Sequence, residues 1–324
     1  MFTVEKYTSK HKSIWDDFVA SSKNATFLFY RDFVEHHQDR FEDYSLLVFK
    51  DKTLITVVPA NKVEHTVYSH QGLTYGGLVL SDDIAFSDVL KSYQSILKFL
   101  NSKNIVTFEI KLLPKIYHTL PSDEIDYVLF KTEATLIRSD ITSVIDAKYK
   151  LEIQSSNRKR GLKKAKTQNL VVTEVSNFQD FWDDILTPNL RATHQVSPVH
   201  SLEEITQLKT RFPNNIRQFN VYKDDKIVAG ATVFETRHVA HVQYISANNE
   251  RQELGSLDLL FDVLIKDIFK TKKYFDFGIS NENQGQNINE GLLSWKESFG
   301  ARSIIHQCYN VETKNFVKLK DTML

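Results

Sequence analysis

Few residues in this chain are placed to do chemistry, and one of them breaks an ordinary rule. In "NEGLLSWKESFGA", residues 289–301, helical spacing puts Leu292, Trp295 and Phe299 on one face and sets Lys296 on it beside Leu292. Phe299 and Gly300 then close the segment as a helix stop does. A cation on a face that should be buried either packs its stem while the ammonium reaches water, or is kept there for a negative group. In "YFDFGIS", Asp276 alternates with Phe275 and Phe277 and so faces away from them, as a structural carboxylate or as a base. Glu282 and Glu290, in the polar loop "NENQGQNINEG", are the other candidate bases, and such a loop at a sheet end suits substrate contacts.

Other stretches suit binding. "VQYISANNERQELGSLDLLF" reads as a strand carrying Tyr244, a loop with Gln252, Gly255 and Ser256, and a helix. Such a loop aims free N–H groups and a positive dipole end at an anion, or it is a simple helix start with Ser256 near the cap. In "SNRKRGLKKAK", Lys159, Lys163 and Lys166 gather on one helix side, with Leu162 and Ala165 turned to the core. That is a solvated face, or a place where Arg160 or Lys163 pairs a diphosphate or a tRNA backbone. "RATHQVSPVHSLEEI" carries His194 and His200, six apart with no third ligand nearby, so no metal site is read there. Ser201 and Glu204 form a capping box for the next helix, and the loop before them is ordered structure or an acceptor contact through His194. "SHQGLTYGGLVL" gathers His70, Gly72, Tyr75, Gly76 and Gly77, holding three of the chain's ten glycines. Glycine there admits close approach of a ligand or merely a bulged strand.

The elements that position these groups repeat. "IWDDFV" followed by "LLVFKDKTLITVVPANKVEHTVYSHQG" is echoed by "FWDDIL" followed by "FNVYKDDKIVAGATVFETRHVAHVQYISA". Each copy has an amphipathic helix at a Trp-Asp-Asp (Trp15, Trp182), a strand, a Lys-Asp turn (Lys50-Asp51, Lys223-Asp224), a returning strand and a third strand. Each continues as helix then strand, "FSDVLKSYQSILKFLNSKNIVTFEIKLLP" and "GSLDLLFDVLIKDIFKTKKYFDFGIS". Leu257, Leu260, Phe261, Leu264 and Ile268 follow helical spacing, and Tyr274 to Ile279 is a buried-strand run. The order predicts an α/β (α+β) chain of two units with mixed, mainly antiparallel sheets flanked by helices, 1–147 and 148–324.

Composition bounds the rest. The 324 residues are 41% hydrophobic, and Lys+Arg and Asp+Glu both number 41, so no global field recruits DNA or an anionic membrane. A single cysteine, Cys308, excludes an internal disulfide framework and suits a reducing compartment. No stretch reaches the roughly 18 apolar residues of a membrane span, and the start lacks an apolar signal core, so a cytoplasmic location is expected.

Gln252-Glu253-Leu254-Gly255-Ser256-Leu257 resembles the pyrophosphate loop of the GNAT N-acyltransferase superfamily, Gln/Arg-x-x-Gly-x-Gly/Ala, and departs from it at Leu257. The tandem order of elements resembles the Fem-type peptidoglycan bridge aminoacyltransferases and their FemAB-like relatives, over nearly the whole chain. "SNRKRGLKKAK" is similar to the basic helix opening their second domain, and "SWKESFGA" to a Phe-Lys-x-x-Phe-Gly segment in which Lys296 takes the family lysine and Trp295 replaces the aromatic before it. The resemblance implies two GNAT-like domains, the first on the acceptor side and the second for donor binding and transfer. It implies acyl or aminoacyl transfer, from acyl-CoA such as acetyl-CoA or from aminoacyl-tRNA, to an amino group of a cell-envelope or nucleotide-sugar precursor. Lys296 would stabilise negative charge in the transition state, with Asp276 or Glu282 taking a proton. Gln252, Gly255, Ser256 and Tyr244 would hold the donor, and Arg160, Lys163, His194, Tyr75 and Trp295 the substrates. No Ser-His-Asp or Cys-His constellation is visible, which fits direct transfer with no covalent acyl-enzyme, no tightly bound cofactor and no metal. The alternative is a degenerate tandem GNAT protein that only binds a sugar nucleotide or a protein.

Overall fold

The computed structural model describes residues 1–149, 151 and 155–323. They form two compact units, one of Met1–Asp140, Asn283–Gln286 and Ile305–Leu324, the other of Ile141–Glu282 and Asn287–Ile304. Among the described residues no helix is long and apolar enough to cross a membrane.

In the first unit, Phe2–Lys6, Leu46–Lys50, Thr53–Val58 and Val79–Leu80 make an antiparallel sheet in that order. The helix Phe86–Ser102 buries Val89, Leu90, Tyr93, Ile96, Leu97 and Leu100, a stripe repeating every three to four residues. That stripe shares a core with Leu46, Val48, Val58 and Leu80. After the helix, Thr107–Lys111 runs parallel to Thr66–Tyr68 and, on its other side, antiparallel to residues 308–312.

One expectation fails here. The sequence predicts three consecutive meander strands, but the chain leaves the first sheet after Val58. Pro59 has no N–H to continue a ladder. Asn61–Val63 and Thr66–Tyr68 form a separate hairpin, and only Val79–Leu80 returns to pair with Thr53–Val58.

The second unit keeps its meander whole. Val171–Val175, Ile216–Lys223, Lys226–Glu235 and Val239–Ala247 are successively antiparallel. Helix Ser256–Val263 then crosses over to Tyr274–Ile279, which pairs in parallel with Val239–His241 and antiparallel with Thr142–Asp146. Phe219, Val233, Val242, Leu260, Phe261, Leu264, Phe275, Phe277 and Phe299 fill its core. Ser201 accepts from the Glu204 N–H and Glu204 from the Ser201 N–H, the expected capping box opening Leu202–Arg211. The Trp182 helix begins as a π-turn, Phe181–Leu186, just before Pro188, whose missing N–H breaks the i→i−4 ladder.

The two halves share fine detail. Asp51 and Lys52 (φ 47° and 77°) make one hairpin turn and Asp224 and Asp225 (φ 47° and 62°) the other. Both hairpins carry a bulge two residues before the turn, at Val48/Phe49 and at Val221/Tyr222. Each Trp indole N–H is donated to a backbone carbonyl later in its own half, Trp15 to Phe29 at 2.8 Å and Trp182 to His200 at 3.1 Å. A turn, a bulge and an indole bond thus recur in one order in both halves, as the sequence echo predicts.

Candidate active site

Lys296 lies in the helix Glu290–Glu297, which Asn289 caps by accepting from the Leu292 N–H at 2.9 Å. The apolar face is not quite as the spacing predicts. Leu292 is 36% exposed, Trp295 is half-buried against Phe261, Phe277 and Phe299, and Lys296 itself is only 3% exposed. The lysine does not snorkel. Its ammonium donates inward to the carbonyls of Gly278 at 2.8 Å and Ile279 at 2.6 Å. Burial among neutral acceptors pushes its pKa down to about 8, against the pull of the Asp276 carboxylate. Among the described residues two acceptors serve three N–H bonds, which leaves one for a ligand.

Asp276 is fully buried. Its Oδ1 accepts from the Thr142 hydroxyl and from the Gly278 N–H at 2.9 Å, and its Oδ2 faces His241 Nδ1 at 2.8 Å. A carboxylate only accepts, so Nδ1 carries the proton and the lone pair of a neutral His241 sits on Nε2. His241 is 8% exposed, and its Nε2 has no hydrogen-bond partner among the described residues. Sequence reasoning missed this histidine. Its one signal was position: it alternates with Ala240 and Val242 in a strand as Asp276 does with Phe275 and Phe277, and the parallel register sets the two opposite each other.

The ladder explains why the pair sits at an opening. Parallel pairing runs Val239↔Tyr274, Ala240↔Phe275, His241↔Asp276 and stops. Gly278 then adopts φ +77°, and a Cβ there would fall 3.3 Å from the Val242 carbonyl. From Val242 to Ala247 the strand is paired only with Ala229–Val233. His241 and the carbonyls that hold Lys296 thus lie where the strands diverge.

The donor loop is more helical than expected: Arg251–Leu254 is a short helix, Gly255 is left-handed, and Ser256–Val263 follows. Gln252 is exposed, whereas Ser256 is buried and its hydroxyl has no partner among the described residues. Gly255 packs against the basic helix Ser156–Ala165, since a Cβ on it would lie 2.3 Å from the Gly161 carbonyl. Arg158 pairs with Asp258 and lies 5.5 Å over the Phe299 ring, while Arg160 and Lys163 are exposed. Glu282 is exposed and accepts from the Asn289 amide at 2.8 Å. Tyr244 is buried, its hydroxyl 2.6 Å from His200 Nδ1. The His194 side chain lies outside the described ones. Tyr75 belongs to the first unit, buried against Phe29 and Tyr117. Lys296, Asp276 and Trp295 therefore gather at one end of the second unit's sheet, and Gln252, Gly255 and Ser256 at the loop under the basic helix. Among the described residues no three His, Cys, Asp or Glu side chains converge on a metal-sized site.

Comparison with known proteins bears on this geometry. Residues 155–287 match the family model of an acetyltransferase (GNAT) domain. No curated protein matches the sequence. Among solved structures, FemX is 10% identical with a TM-score of 0.66, covering 98% of this chain and 99% of that one. L-PGS from Bacillus licheniformis is 10% identical with a TM-score of 0.58, over 96% and 94%. A tandem GNAT protein from the clavulanic acid biosynthesis pathway is 10% identical with a TM-score of 0.55, over 97% and 99%. Likeness at that identity is likeness of fold. Residues 155–287 are thus similar to a GNAT acetyltransferase domain, and over nearly its whole length the chain shares the fold of FemX and of that tandem GNAT protein.

Proposed function

We propose that the chain is a cytoplasmic N-acyltransferase that moves an acyl group from acyl-CoA to an amino group of a cell-envelope or nucleotide-sugar precursor. The observation that carries this reading is the pairing of a buried Lys296 ammonium with an Asp276-oriented His241 where two parallel strands part. Only a neutral amine attacks a thioester, and His241 Nε2 accepts the proton it sheds. Attack places negative charge on the thioester oxygen, and the remaining Lys296 N–H stabilises it in a water-poor setting. The C–S bond then breaks, and the thiolate leaves to take a proton.

Residues 1–147 take the acceptor side in this proposal and residues 148–324 the donor side. Gln252, Gly255 and Ser256 receive the donor's pyrophosphate, and Arg160 and Lys163 add positive charge. Asp276 acts through His241, as its positioning residue. Aminoacyl-tRNA is the second donor reading, favoured by the exposed cations Lys159, Lys163, Lys164 and Lys166.

Thermal-shift measurement against acetyl-CoA and longer acyl-CoAs, followed by thiol release with UDP- and dTDP-linked amino sugars, tests the proposal. A ligand at a hundred times its dissociation constant stabilises by about 2.7 kcal/mol. No shift with any acyl-CoA and no thiol release would leave the binding-only alternative standing.

A further inference from the structure

The first unit, which the proposed function gives to the acceptor, holds a cavity with charged walls. Its volume is about 320 Å³, and Tyr7, Glu35, Phe41, Asp43 and His70 line it, with exposed Ser9 also in its wall. That is the lower end of the roughly 300–1,000 Å³ of small-ligand pockets. Behind the wall lies Arg31, wholly buried, which donates to Glu35 at 3.2 Å, to Asp43, and to the Ser45 hydroxyl at 3.0 Å. Its guanidinium stacks 3.6 Å from the Tyr7 ring, and the Tyr7 hydroxyl donates to Glu35 Oε1 at 2.9 Å. One cation is thus shared by two carboxylates. The cluster keeps one negative charge, and the cavity meets the carboxylates rather than the guanidinium. Glu35 Oε2 has no partner among the described residues.

His70 supplies the opposite polarity. It is 3% exposed and held at φ +64°, a strained backbone for a residue with a side chain. The Gly72 N–H donates to its Nδ1 at 3.2 Å, which leaves the proton of the neutral ring on Nε2. Burial pushes the ring's pKa down to about 4, with Arg31 and Lys111 reinforcing and Asp43 opposing, so the ring is neutral at pH 7. Lys111 donates to the Leu73 carbonyl at 2.8 Å and does not line the cavity. The His70 Nε2–H has no acceptor among the described residues, so a ligand oxygen in the cavity can accept from it.

We infer that this cavity binds a small polar molecule of the amino-sugar class. Its ammonium sits between Glu35 and Asp43, a neighbouring hydroxyl oxygen accepts from His70 Nε2–H, and the Phe41 ring covers its carbon face. The inference rests on the proposed function, which gives residues 1–147 the acceptor side, and it names the class of molecule held there.

Isothermal titration of D-glucosamine into the full chain without any acyl donor tests this, with D-glucose as the analogue that replaces the ammonium by a hydroxyl. Glucosamine binds and glucose binds at least about tenfold more weakly, or 1.4 kcal/mol. Glu35→Gln keeps the shape and weakens glucosamine by a similar factor. Ser9→Trp fills the cavity from its exposed side without touching Arg31, and abolishes binding at an unchanged melting temperature. Lys296→Met binds glucosamine as the parent does, so a failed acyl-transfer mechanism and a failed pocket are told apart. Silence with glucosamine, equal heats from glucose, or a folded Ser9→Trp protein that still binds would each overturn the inference.

Discussion

Lys296 carries a charge that folding makes costly. Its pKa falls from 10.5 to about 8 in the folded chain, so between those values the unfolded state holds the extra proton. Stability contributed by this group therefore rises with pH from about 8 to 10.5, the reverse of a lysine that gains a salt bridge. Lys296→Met should abolish that rise, which denaturant titrations at about pH 7.5 and about pH 10 would measure, a span holding most of it. At neutral pH two effects oppose each other, because removing the buried charge stabilises while the Gly278 and Ile279 carbonyls lose their donor. We expect a melting point within a few degrees of the parent and turnover lower by about 10²- to 10³-fold. A second prediction concerns the dyad. In Asp276→Asn the amide can donate to His241 Nδ1 and move the ring proton to Nε2, which removes the base. Turnover should fall by about 10²- to 10⁴-fold, to the level of His241→Gln, and the double variant should lose little more. Independent, additive losses would separate Asp276 from His241. Lys296 was legible because a cation interrupts an apolar face. His241 was not, because its partner lies thirty-five residues away and only the strand register brings them together.

Elements were readable where one period ran unbroken. Tyr274–Ile279 and the stripe of Leu257, Leu260, Phe261 and Leu264 stand where the spacing puts them, whereas Ile268, predicted on the same stripe, ends the π-turn Leu264–Ile268 and is 37% exposed. The first unit's third strand was not, since Pro59 diverts the chain and a two-residue strand closes the sheet instead. Gly255 shows how one residue admits two explanations. The loop reading gives it to a pyrophosphate, while the packed helices require it in any case: φ is +67° and Gly161 leaves no room for a Cβ. Gly255→Ala should cost more than the roughly 1 kcal/mol of left-handed strain alone, because the basic helix must also move. Chemical denaturation checks this, and a loss below about 0.5 kcal/mol would show that the helices are not in close contact. Donor affinity in that variant speaks for the loop only if stability holds.

At the scale of the molecule, each unit has its own core, yet the first is closed by the far end of the chain. Residues 308–312 pair with Thr107–Lys111, and Val311 and Leu319 lie in the same core as Phe108 and Ile110. Deleting residues 305–324 should expose that core. A dye that binds apolar surface should report it, and the first unit should melt at lower temperature or not cooperatively, even if the second survives. An unchanged first transition would make the last strand a decoration.

That closure also orders events during synthesis. Residues 1–140 leave the ribosome first, but the strand that seals them is encoded after residue 304. At about 5–20 residues per second the gap lasts on the order of ten to thirty seconds. Through that interval Thr107–Lys111 offers one bare edge, and the second unit finishes emerging while the first still waits. The half made first is the half completed last, so a nascent chain stalled before Ile305 should be the form that chaperones hold and proteases cut.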